Sequence, residues 1–200
     1  MKAASVALLL AVVSLSAADV LAQQPKRPPP PLPPAPREAP PPAAEPDRPD
    51  CAAMGALHDS WSGTAYAIDG DTLAGVGLKP LIRLWGIQAP ELRDGAHTET
   101  VPGMRARAAL EDLLGKSDHK LKCRVARFDR ECRVIAHCTL NAGADSIDVG
   151  GAMIASGMAY GYLLAETPVW EPKAGQRYAD AEFEARKARR GLWPMWLGEK

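Results

Sequence analysis

The chain has 200 residues, and its 24 Lys and Arg balance its 24 Asp and Glu. That length allows one domain of ordinary size with appendages, and zero formal charge excludes a global pull toward nucleic acid, so any anion site has to be local. The balance holds without residues 1–50, where Lys2, Lys26, Arg27, Arg37 and Arg48 stand against Asp19, Glu38, Glu45, Asp47 and Asp50.

Met1 and Lys2 open a short positive segment, and "AASVALLLAVVSLSA" is an apolar run too short to span a bilayer comfortably. "VLA" ending at Ala22 fits a cleavage site, with Ala18 as the second choice. Residues 1–22 read as a signal peptide, against the alternative of an uncleaved anchor. The mature chain is then expected to be periplasmic or secreted, with no membrane insertion after cleavage. Residues 23–50 hold 13 of the 19 prolines. With few amide donors and fixed φ they form polyproline II, a semi-rigid spacer of up to roughly 80 Å, rather than a packed core. Contact of this arm with envelope material is the sharper alternative. Cys51, Cys123, Cys132 and Cys138 are even in number and lack a C-x-x-C pair, which favours disulfides over zinc in an exported chain.

A domain is expected over 51–200, with its core at about 60–194. "WSGTAYAIDGDTLAGVG" (61–77) alternates around corners at Asp69-Gly70 and Gly75–Gly77. "KPLIRLWGI" (79–87) reads as a third strand, with Ile82 and Leu84 on one face and Leu81, Arg83 and Trp85 on the other. A helix is expected at about 103–114 on a stripe of Met104, Ala108, Leu110 and Leu114, stopped by Gly115. "HKLKCRVARFDRECRVIAHCTL" (119–140) gives two strands turning near Asp129 to Glu131. The register then sets 128 against 133, 126 against 135 and Cys123 against Cys138, a pair within disulfide reach; Cys51 and Cys132 pair by elimination. A short helix over 147–159 and a clear one over 175–193, stopped by Gly191, complete the order. Strands first and helices last make a mainly β fold with helices (α+β), a five-stranded barrel of the OB type with about three helices.

The chemistry-bearing residues gather at strand ends. Asp69-Gly70-Asp71-Thr72, Arg83 to Glu91, and "DRECR" ending in Arg133 each read alone as solvated turns, but such corners can converge on one rim of a small barrel. No phosphate loop, H-E-x-x-H or G-x-S-x-G occurs. His58, His97, His119 and His137 are scattered and read as surface or core histidines.

"IDGDTL", "RLWGIQAPE", "DRECRV" and "AEFEARKARRGLW", in that order, resemble the staphylococcal nuclease-like (thermonuclease) family over about residues 60–194. The resemblance implies an OB barrel that cleaves nucleic-acid phosphodiesters at one rim with calcium. Position by position it implies Arg83, Glu91 and Arg133 as catalytic residues and Asp71 as a calcium ligand. Gln88 stands where the family usually has a second ligating aspartate, and Ala89 supplies a backbone carbonyl. Glu131-Cys132 replaces the usual Tyr-Gly before the arginine. Two tyrosines that stack on the nucleotide in the best-known member fall at Leu163 and Ala165, so Tyr160 and Tyr162, with Arg130 on the turn, are the candidate substrate contacts. The residues support the same chemistry: guanidinium forks match phosphoryl oxygens two at a time, and a glutamate can activate water. The expected function is an exported, calcium-assisted nuclease on DNA or RNA, working as a monomer. The alternatives are an OB module that binds nucleic acid or another anion with little turnover, and an envelope-interaction protein.

Overall fold

Two strands at the start of the domain, β1 (Ser60–Ala67) and β2 (Thr72–Gly75), form an antiparallel hairpin with Ala67 opposite Leu73. The computed structural model describes residues 51–56 and 58–198, so the expected signal peptide and proline-rich arm lie outside the described residues. β3 (Ile82–Leu84) continues the sheet antiparallel to β2, with Arg83 opposite Thr72. On the other side of β1 comes β5 (Lys120–Phe128), followed by β6 (Val134–Ala142). Parallel pairing of β3 with β6 returns the sheet on itself, which closes the expected five-stranded OB-type barrel. β7 (Asp145–Asp148) adds to β6 outside that ring.

Alternation puts the core inside. Along β5, Leu121, Cys123 and Val125 are buried while Lys120, Lys122 and Arg124 are exposed. Leu73, Ile82, Leu84, Val134, Ala136 and Leu140 complete that lining. Each buried Leu, Ile or Val contributes about 1.5–3 kcal/mol by leaving water. The third strand departs from a simple alternation. Gly86, at φ 76°, turns the chain and splits the segment into β3 and β4 (Ile87–Gln88). Trp85 therefore swings inward to 6% exposure instead of sharing the outer face with Arg83, and its Nε1 donates to Glu166 O at 3.0 Å. β4 pairs with β8 (Tyr160–Gly161), setting Gln88 opposite Tyr160.

The β5–β6 register also has a correction. Cys123 opposes Cys138 as expected, but the ladder shifts between Val125 and Arg127, so Arg127 opposes Ile135 and Phe128 opposes Val134. One extra residue, a β-bulge at Ala126, accounts for the slip. The disulfides are Cys123–Cys138 and Cys51–Cys132. The latter ties a 3-10 turn (Cys51–Met54) to the β5–β6 turn, and Lys79 Nζ donates to Ala53 O at 3.1 Å beside it.

Helix α1 (Val101–Gly115) starts at Thr100, whose Oγ1 accepts from Gly103 N, and has proline in its first turn. Its buried face is Gly103, Ala106, Leu110, Leu113 and Leu114; Met104 and Ala108, expected to be inward, are exposed. Gly103 sets the rotation: a Cβ there would collide with Glu91 O, so the helix seats its N-terminus directly on the backbone of residues 91–92. α2 (Val149–Ala155) is capped by Asp148. α3 (Ala174–Lys187) ends four residues before Gly191, with Arg189 at φ 53° breaking the helix first, and α4 (Trp193–Trp196) closes the described chain.

Candidate active site

Three segments meet at one rim of the barrel: the β1–β2 corner, the β3–β4 stretch with its exit loop, and the β5–β6 turn. The corner is tight because Gly70 packs against Ala89 and α1, where an added Cβ would lie 2.5 Å from the Ala89 Cβ and 2.6 Å from the Ala106 Cβ. This brings Asp71, only 3% exposed, against β3 and β4. Its Oδ2 accepts from Ala89 N at 2.7 Å, its Oδ1 accepts from Thr72 Oγ1 at 3.2 Å, and Arg83 Nη1 forms an ion pair with Oδ1. Arg83 Nη2 donates to Gln88 Oε1 at 2.8 Å and to Ile87 O at 3.3 Å, while its Nε–H takes no part in these contacts.

Glu91 lies exposed after Pro90, its backbone held by Thr100 Oγ1, which donates to Glu91 O at 2.7 Å. Arg133 is held from its own turn. Its Nε donates to Asp129 Oδ2 at 2.7 Å, and its Nη1 lies 3.3 Å from Glu131 Oε2. Asp129 Oδ1 also accepts the backbone N–H of Glu131 and of Arg133, each at 2.9 Å, so one carboxylate shapes the turn and aims the guanidinium. Between them Cys132 takes φ 56°, a left-handed conformation suited to the glycine usual there, and its disulfide to Cys51 holds the turn in it.

The two arginines sense each other. Burial, and then repulsion from Arg133, push Arg83 below its ordinary pKa, against the opposing pull of Asp69, Glu91 and Asp129. The charge persists, because arginine titrates far above neutral pH. Burial raises Asp69, with Thr72 and then both arginines pulling it down. The rim thus gathers Asp71, Arg83, Gln88, Ala89 and Glu91 in one bonded network, with Arg133 close enough to repel Arg83. Asp69, whose Oδ1 accepts from Asp71 N at 2.9 Å, and Asp129, which holds Arg133, belong to this rim as well, and both stand in charged stretches that carry no individual role in the sequence.

The candidate substrate contacts differ in placement. Tyr160 is beside Gln88 by strand register, 38% exposed, and its ring meets that of Trp196 edge-on at 5.6 Å. Tyr162 is exposed one residue past β8, its N–H bonded to Gly86 O. Arg130 is exposed at the turn tip and makes no ion pair among the described residues. A groove of about 530 Å³ along β1, β5 and β6, lined by residues such as Ser62, Lys120 and Thr139, shares no residue with the rim. Away from the rim, buried His137 sits 3.1 Å from Asp148 Oδ2 and 3.4 Å from Glu171 Oε2, close charges that are poorly aligned for hydrogen bonding. Asp148 also accepts from Tyr178 Oη at 2.7 Å, so this cluster ties the barrel to α2 and α3.

A calcium ion held by Asp71, Gln88 and the Ala89 carbonyl needs three oxygens facing one point. Here the Gln88 amide nitrogen faces that carbonyl, with Nε2 donating to Ala89 O at 3.0 Å and reaching Glu91 Oε1 at 3.4 Å. Reversing the amide would set its N–H groups against the Arg83 guanidinium, donor against donor. Both Asp71 oxygens are already engaged. As arranged, the residues do not fit the ion, and among the described residues no group of three or more His, Cys, Asp and Glu side chains could hold a metal.

The family model described as staphylococcal nuclease homologue matches residues 81–195, more than half of the chain and the stretch that carries Arg83, Glu91 and Arg133. No curated protein matches the chain.

Proposed function

Because the chain belongs to the staphylococcal nuclease homologue family, we propose that it is an exported enzyme that hydrolyses phosphodiester bonds of DNA or RNA at the Arg83–Glu91–Arg133 rim. At family level it is a nuclease-like hydrolase on an OB barrel, with nucleic acid as substrate. The observation that carries the finer reading is that β3 pairs with β6, Ile82 opposite Val134, so that Arg83 and Arg133 reach the same rim from separate segments, with the solvent-exposed Glu91 linked to Arg83 through Gln88. An anion between the two arginines relieves their repulsion, and a phosphodiester is an anion whose oxygens gain charge as it reacts. Export rests on the N-terminal sequence, and the two disulfides suit an oxidising compartment.

The chain's own residues then divide the work. Arg83 and Arg133 hold the non-bridging oxygens. Glu91 takes a proton from water as that oxygen bonds to phosphorus; the opposite P–O bond breaks, and the departing oxygen takes a proton from solvent. Tyr160 and Tyr162 offer stacking surface to bases, and Arg130 a further cation for the backbone. The family is typically calcium-dependent. In this chain Asp71, Gln88 and Ala89, as arranged, do not fit that ion.

Glu131 supports a second reading. Its carboxylate beside Arg133 Nη1 competes with a phosphate for the same guanidinium, which favours a module that binds nucleic acid with little turnover. Incubating the purified chain with labelled single-stranded DNA separates the two. Time-dependent cleavage lost in Glu91→Gln supports the enzyme; retention without cleavage supports the binding module.

A further inference from the structure

Resting on the rim as the active site, we propose that the Gln88 amide takes the place of a divalent cation, so that the site assembles and works without metal. The argument is one of geometry and charge. A cation in such a rim would draw together oxygens that otherwise repel: the Ala89 carbonyl, the Glu91 carboxylate and the side chain at position 88. Gln88 performs that task with N–H groups, since its Nε2 reaches Ala89 O and Glu91 Oε1 from one nitrogen. Its Oε1 meanwhile accepts from Arg83, so one neutral side chain bridges the phosphate-holding arginine and the general base.

The charge balance agrees. A glutamine in place of an aspartate removes one negative charge, and Asp71 spends its own on Arg83. A cation entering beside Arg83 would therefore meet a guanidinium whose neutralising partner it must share, with repulsion from Arg133 nearby. To bind, it would have to expel the Gln88 N–H from Ala89 O and pull Asp71 from Arg83, undoing the hold on the residue that clamps the phosphate.

Two measurements on the full chain decide this, the first independent of activity. Calorimetric titration with calcium and with magnesium should give no binding heat for wild type through the range of about 10⁻⁴–10⁻³ M in which extracellular calcium modules operate. Gln88→Glu keeps the shape but sets an oxygen against Ala89 O and Glu91. It should lower the melting temperature in chelator and regain it on adding calcium. Wild-type binding within that range overturns the proposal whether or not Gln88→Glu folds. The second measurement is wild-type cleavage in excess chelator, expected to stay within about twofold of the rate in calcium. Cleavage abolished by chelator and restored by calcium overturns the metal-free site while leaving the nuclease reading intact. Absence of cleavage under every condition defeats the nuclease reading instead, and the titration still decides whether the site holds a cation.

Discussion

The Cys51–Cys132 disulfide joins the first described turn to the residue before Arg133, and removing it should affect stability and catalysis by separable amounts. The bonded residues are 81 apart in sequence, and the chain-entropy relation assigns a loop of that size about 4.5 kcal/mol of stabilisation. The second bridge, Cys123–Cys138, shortens that loop only slightly, because it spans 15 residues near the far end. In a domain of about 150 residues, 4.5 kcal/mol corresponds to roughly 9–18 °C in melting temperature. Cys51→Ser with Cys132→Ser should lose most of this and leave a non-glycine residue in the left-handed region with no tether. Cys51→Ser with Cys132→Gly should recover roughly 0.5–1 kcal/mol, the left-handed cost less glycine's extra chain entropy. Urea unfolding measures the first effect, and kcat on DNA at a temperature where all variants are folded measures the second. The glycine pair should retain more kcat than the serine pair, since its turn can still adopt the geometry that aims Arg133. A double-serine variant within about 1 kcal/mol of wild type and unchanged in kcat would refute this role for the bridge.

Two further outcomes follow from other parts of the molecule. Burial alone would depress His137, but the neighbouring Asp148 and Glu171 outweigh it and raise its pKa. Burial works the other way on Asp148, and is outweighed by His137, Tyr178 and Gly151, which lower it. A raised histidine stabilises fully below its unfolded value and loses that contribution as pH rises through its folded value; a depressed aspartate stabilises above its unfolded value and loses that contribution as pH falls. The pair should therefore contribute most between about pH 4 and 6.5. Urea midpoints of wild type and His137→Gln should differ most in that window and converge above it; a constant gap across pH 4–9 contradicts the assignment. Tyr160→Ala should raise KM for single-stranded DNA by about 5- to 150-fold, the equivalent of one stacked base, with a smaller change in kcat; an unchanged KM removes Tyr160 from the substrate path.

Barrel and rim were legible where local rules act alone. Alternation in β5, the corner at Asp69-Gly70 and the Cys123–Cys138 register all come from period two and turn chemistry, and each stands in the structure. The misses arise where a distant contact overrides the local pattern. Trp85 turned inward because Gly86 reversed the chain, and β8 went unseen because two residues carry no periodicity. The α1 stripe was rotated by the approach of Gly103 to the Glu91 backbone, which no helical pattern encodes. Asp129 escaped assignment because an acid in a turn looks solvated until its partner, Arg133, is seen folding back on it. The Gln88 amide direction was beyond sequence reasoning as well, since it is decided by Arg83 Nη2 and Ala89 O together.

The central claim is that Arg83 and Arg133 clamp one phosphate as a unit, and kcat for Arg83→Lys, Arg133→Lys and the double variant on one single-stranded DNA tests it most directly. Lysine keeps the charge but not the fork, so each single variant should fold and lose at least about a hundredfold in kcat. The double variant should be little worse than either single, as groups that act together are far from additive. Losses that multiply in the double variant would assign the arginines to separate tasks, and wild-type rates in both single variants would place the chemistry elsewhere.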